Sequence, residues 1–166
     1  ELVAVYTTAD RLPEAELWAR LAEALLARTG YPPARRAALA LNVGWLRLRL
    51  GQNDSARALL REAVDRFRQA YGAQAPDVLP PMQALCQLED GADRIGCFEQ
   101  ALSFAKVALG PRHPEVASIL NNTAAFLLDN PDGVPRACAS LEEARDILAR
   151  AAEPGSVVLL STLSNL

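Results

Sequence analysis

The chain has 166 residues, 51% of them hydrophobic, and a formal net charge of −3. That much apolar content buries a core and excludes a disordered chain. The acidic balance excludes nucleic acid as the main partner, because phosphate recognition requires a basic face.

No apolar run approaches the ~20 residues that span a bilayer, so no membrane insertion by this segment is expected. The chain opens on Glu1 without an initiator Met, and it is expected to be a piece of a longer protein. The compartment stays undetermined, the cytoplasm leading. Aromatics make up only 5%. Ala and Leu, the best helix formers, dominate the apolar set and point to an all-α fold. Residues 1–75 carry 11 Arg against 8 acids, and residues 76–166 carry 6 basic residues against 12 acids. This polarity reads first as solvated surface.

Segments closed by Gly or Pro predict helix pairs at about 1–29, 33–71, 76–109 and 114–152, with the start of another at 156–166. In the first, Leu2–Thr8 reads as the end of a helix broken before Leu12-Pro13-Glu14. Trp18 is expected in the core. In the second, a helix over Pro33–Leu50 stops at Gly51, and another runs from Asp54 or Ser55 to Tyr71 before Gly72. Val43-Gly44 forms a large–small pair, while Ala56, Leu60 and Ala63 form a stripe at i, i+4, i+7. Small residues there let two helices approach closely.

The stripe recurs as Leu17/Leu21/Ala24, Ile95/Phe98/Ala101 and Ala137/Leu141/Ala144. Its closing alanines, Ala24, Ala63, Ala101 and Ala144, lie 39, 38 and 43 residues apart. Pro80-Pro81 confines its helix to a short segment beginning near Pro81, since proline is tolerated only in a first turn. Asp129–Pro135 predicts an exposed loop. Leu41-Asn42, Leu120-Asn121-Asn122 and Leu163-Ser164-Asn165-Leu166 share a register. The last would open a repeat that the chain does not finish. Residues 1–166 therefore read as a single α-solenoid of antiparallel helix pairs, about three to four repeats with the last truncated.

Cys86, Cys97 and Cys138 fit no zinc spacing and read as small buried hydrophobes. Cys86 and Cys97 could approach on adjacent helices, although no disulfide framework is evident. His113 is the only histidine, and it reads as loop-and-cap chemistry. The acidic pair Glu142-Glu143 cannot converge on one substrate, because adjacent helical residues point to different faces. No nucleophile–base pair, phosphate cradle, metal site or cofactor site is visible. The chain is read as a non-enzyme, though part of an enzyme remains a third alternative.

The stretch Ala108–Ala124 contains Leu109-Gly110, His113-Pro114 and Leu120-Asn121-Asn122. It resembles the long-period tetratricopeptide (TPR) repeats of kinesin light chains and their bacterial relatives. Thr123 stands where that family usually has Leu. The opening, Leu2–Ala27 with Tyr31–Gly44, resembles the repeat regions of bacterial serine/threonine protein kinases in helix order and composition. No kinase element is present in the chain itself.

The first resemblance implies a TPR superhelix whose first helices line a concave groove. Asn42, Trp45, Arg49, Met82, Leu85, Asn121, Asn122, Ala125 and Asn165 then face that groove. An amide both donates and accepts, which suits a grip on an extended peptide backbone. Asn42 and Asn122 could equally hold neighbouring helices together, and Trp45 could be a packing residue. The expected partner is a peptide or protein, with regulation or docking in a larger bacterial signalling protein as the setting. A self-associating scaffold and the repeat region of a transcriptional regulator are the alternatives.

Overall fold

The computed structural model describes residues 1–29, 32–129 and 131–151. Among them are eight α-helices and no strand. The chain divides into two compact units, Glu1–Leu88 and Glu89–Leu166. The first holds α1 (Leu2–Thr8), α2 (Leu12–Thr29), α3 (Pro33–Arg49), α4 (Asn53–Tyr71) and α5 (Leu79–Cys86). The second holds α6 (Gly91–Ala108), α7 (Pro114–Leu127) and α8 (Val134–Ala151). The proposed opening of a further repeat at 156–166 lies outside the described residues.

In the first unit α3 packs on α4 along most of its length, and it also touches α1, α2 and α5. The reason lies in side-chain size. Ala37, Ala40, Val43, Gly44 and Leu46 form the buried side of α3. They meet Ala56, Leu60, Ala63, Val64 and Phe67 of α4. The turn between the two helices needs a left-handed residue, and Gly51 supplies it with φ 70°. Val3, Ala15, Ala19, Val43 and Leu46 join α1, α2 and α3 in one core cluster, with Tyr6, Leu12 and Leu39 packed against it. Pro80 and Pro81 sit in the first turn of α5, where no backbone donor is required of them.

Helix α2 departs from the sequence expectation. Its buried residues are Ala15 and Ala19, so the inward stripe runs Ala15/Ala19/Ala22 rather than Leu17/Leu21/Ala24. Leu17, Leu21 and Ala24 are exposed. Trp18, expected in the core, is 36% exposed. The alanine face allows the two-turn α1 to sit close, and a leucine face would hold it away.

In the second unit α7 packs on α8 and on α6. Ala124, Leu127, Ala137 and Leu141 form its core cluster, with Ile95 against them. Phe98 and Ala101 of α6 are also buried. Thr123, which replaces an apolar residue of the resemblance, is buried and donates its hydroxyl to Ile119 O at 2.8 Å. A threonine so satisfied fits a core at little expense.

The segment before α8 is exposed as expected, with one exception. Asp129, Asp132, Val134 and Pro135 are exposed, but Gly133 is buried. A Cβ on Gly133 would lie 2.3 Å from Leu127 O. That carbonyl belongs to the last turn of α7 and cannot retreat without opening it. Gly133→Ala is therefore expected to destabilise the protein by about 2 kcal/mol. Urea unfolding followed by circular dichroism checks this, and an unchanged midpoint would contradict the contact.

Candidate functional site

Helices α1 and α3 lie beside each other and leave a hollow of about 460 Å³. It is lined by Ala4, Thr7 and Thr8 from α1 and by Leu41, Asn42, Trp45 and Arg49 from α3. Three of the nine sequence-predicted residues thus meet in one place. Asn42, Trp45 and Arg49 follow one another at i, i+3 and i+7, one stripe of α3. The stripe lies beside the buried Val43 and Leu46, which anchor the helix. Asn42 and Trp45 are half-buried and Arg49 is exposed.

Charge fixes the rim of this hollow. Arg49 Nη2 donates to Asp10 Oδ1 at 2.7 Å. Asp10 sits in the α1–α2 turn with φ 58°, a conformation that aspartate tolerates better than most residues. Arg47 Nη1 donates to Glu16 Oε1 at 2.8 Å and to Gln52 Oε1 at 3.1 Å, tying the end of α3 to α2. An exposed pair such as Arg49–Asp10 contributes about 0–1 kcal/mol, so its effect is mainly on orientation. Close by, Arg11 donates Nε and Nη2 to Glu14 Oε1 at 2.9 and 2.5 Å. These hydrogen bonds hold the Glu14 carboxyl below its ordinary pKa.

The contribution of α1 was not foreseen from the sequence. Ala4, Thr7 and Thr8 fall at i, i+3 and i+4, but a helix of seven residues offers little periodicity to read. Thr7 Oγ1 donates to Val3 O at 2.7 Å, and Thr8 Oγ1 donates to Ala4 O. Both hydroxyl oxygens keep lone pairs that can accept from a ligand.

The other predicted residues lie elsewhere. Met82 and Leu85 are half-buried on α5 in the same unit and do not line the hollow. Asn121 and Asn122 are half-buried on α7, and Ala125 is exposed on it. They belong to the second unit. Asn165 lies outside the described residues.

His113 Nδ1 accepts from Glu115 N at 3.1 Å and caps α7. This employs the imidazole structurally at the helix terminus. Cys86 is buried as expected, whereas Cys97 is half-buried and Cys138 lies at the surface. Cys138 is exposed and free, while Cys86 and Cys97 are not free thiols. Among the described residues no group of three or more His, Cys, Asp or Glu could hold a metal ion. Nor is any helix there long and apolar enough to cross a membrane.

Consecutive helix pairs closed by glycine turns, with alanine stripes at their contacts, define an all-α repeat fold of the TPR-like, α-solenoid class. In fold it is similar to solved structures of kinesin-light-chain-type repeats. BtubC (BKLC) from P. vanneervenii is similar with a TM-score of 0.76 and 21% identity, over 99% of this chain and 67% of that one. The Podosopora anserina kinesin light chain protein of nearly identical TPR-like repeats has a TM-score of 0.71 and 20% identity, over 99% of this chain and 80% of that one. No family model and no curated protein matches the sequence. At this identity the likeness concerns the fold.

Proposed function

We propose that the chain is an interaction module that binds an extended peptide or protein segment on the face of its first helices, with the α1–α3 hollow as the primary contact. The observation that carries this reading is the convergence of an amide, an aromatic ring and a cation at Asn42, Trp45 and Arg49 beside the two threonines of α1. Amide and hydroxyl groups bond a ligand's main chain, and Trp45 offers a flat apolar wall for a side chain. Met82 and Leu85 on α5 are further candidate contacts within the first unit, and Asn121, Asn122 and Ala125 on α7 are candidate contacts of the second unit taken by itself. The fold and this face together support binding rather than catalysis.

A labelled peptide library tests the hollow. Trp45→Ala is expected to weaken the selected peptides about 30-fold, as loss of a central aromatic anchor does. Asn42→Ala should weaken them about fivefold. If both variants bind every selected peptide as the parent chain does, the hollow is not the site.

The setting in a bacterial serine/threonine kinase, as a regulatory or docking part, rests on the resemblance of Leu2–Ala27 and Tyr31–Gly44. A kinase domain encoded beside this segment would support that setting. A DNA-binding domain in its place would favour a transcriptional regulator.

A further inference from the structure

Helix α2 has a second apolar face besides the buried one. Leu17, Trp18, Leu21 and Leu25 are 56%, 36%, 51% and 53% exposed. With Glu14, Ala24 and Arg28 they occupy one side of the helix at alternating steps of three and one or three residues, the spacing of a helix–helix seam. The chain provides its own comparison. On α4, 41 residues further along, the positions of Leu21 and Leu25 are held by Glu62 and Arg66. Those two form a surface ion pair at 2.6 Å. The α4 face is solvated, and the α2 face is built of leucine. Beside the α2 ridge lies a hollow of about 410 Å³, lined by Val3, Leu39 and the flanks of Trp18, Leu21 and Leu25. A contiguous apolar ridge beside a hollow marks an interaction surface.

This face is complementary to itself in one orientation. With a two-fold axis at Leu21 and the helices antiparallel, residues equally far from Leu21 in opposite directions meet. Leu21 faces its own copy, Trp18 faces Ala24, Leu17 faces Leu25, and Glu14 faces Arg28. Each of these lies on the outer side of the helix. The largest side chain thus opposes a small one, and opposite charges close both ends. A parallel pairing would set Glu14 against Glu14 and Arg28 against Arg28, which like charges disfavour. Glu14 already holds Arg11 through Oε1, and a carboxylate has lone pairs for a second cation.

We propose that α2 is the seam of an antiparallel homodimer, and that the occupant of its outer face is a second copy of this chain. A closed two-fold contact of this kind is isologous, with the same patch used twice. A seam of one 18-residue helix is about 27 Å long and falls at the small end of specific interfaces. A dissociation constant on the order of micromolar is therefore expected.

Sedimentation equilibrium of the whole chain from about 1 to 300 µM tests the proposal. The parent chain should pass from monomer to dimer. Leu21→Glu sets two carboxylates against each other at the axis and should weaken the dimer about 100-fold or more. Because Leu21 is exposed, the helical circular dichroism of that variant should match the parent. Glu14→Arg should weaken the dimer by about tenfold, and combining it with Arg28→Glu should restore it, which no general loss of folding would do. A chain that stays monomeric at every concentration overturns the proposal and leaves the face to a different partner. A dimer that survives Leu21→Glu, or a double charge swap without restoration, overturns it as well.

Discussion

Replacing Gly44 by valine is expected to destabilise the protein by about 3 kcal/mol or more. A Cβ on Gly44 would lie 2.8 Å from Leu60 Cδ2 and 2.9 Å from Leu60 Cγ. Leu60 is fully buried between α3 and α4. Its Cγ is the branch point of the side chain rather than a free end, so it cannot step aside in a core packed to crystal-like density. Alanine at the same position gains up to about 1 kcal/mol of helix propensity over glycine. Its clash of one atom offsets that gain, and Gly44→Ala should be clearly milder than Gly44→Val.

The partner substitution makes the argument specific. Leu60→Ala alone is expected to cost about 2–5 kcal/mol, because it leaves a cavity. In the double variant Gly44→Val with Leu60→Ala, the valine occupies part of that cavity. The combined loss should fall short of the sum by about 1–3 kcal/mol. Urea unfolding of the four proteins measures this coupling. Strict additivity would mean that α3 and α4 do not meet at this pair, and the fold assigned to residues 33–71 would need revision.

The second large effect is expected at Phe98. This ring is 1% exposed and stacks on Phe126 with centroids 5.3 Å apart and an interplanar angle of 25°. Arg94 Cζ lies 4.7 Å from the centroid of Phe126, on the same small cluster. The contact joins α6 to α7. Phe98→Ala removes the largest fully buried side chain among the described residues and should cost about 3–5 kcal/mol. About 1 kcal/mol of this belongs to the ring pair itself.

Against a total stability of about 5–15 kcal/mol, such a loss is severe. Phe98→Leu keeps most of the volume and should cost about half as much or less. Thermal and urea unfolding of the two variants provide the comparison. A loss below about 1 kcal/mol for Phe98→Ala would show that the α6–α7 contact is not a core contact.

Much of the fold was legible in the sequence because the helix signals are local. Gly51 and Gly72 ended helices where the chain required positive φ. Ala56/Leu60/Ala63 and Ala137/Leu141/Ala144 predicted the buried faces of α4 and α8, and all six residues are fully or almost fully buried. His113-Pro114 announced the start of α7, where the ring and the proline take the cap and the first turn. For the candidate site, Asn42, Trp45 and Arg49 were legible as one stripe of α3. Their companions on α1 were not, because juxtaposing two helices is a tertiary event.

By itself, then, the sequence determined which segments are helical, where they stop, and that their contacts are lined by small residues. Only the tertiary structure decided which side of α2 turns inward. Both sides are apolar, one of alanine and one of leucine, and periodicity ranks them equally. Close approach of the short α1 decided for the alanines, and Leu17, Trp18, Leu21 and Leu25 were left outside. The same holds for Gly133, whose place under the Leu127 carbonyl reflects space available in the fold and leaves no mark on local pattern.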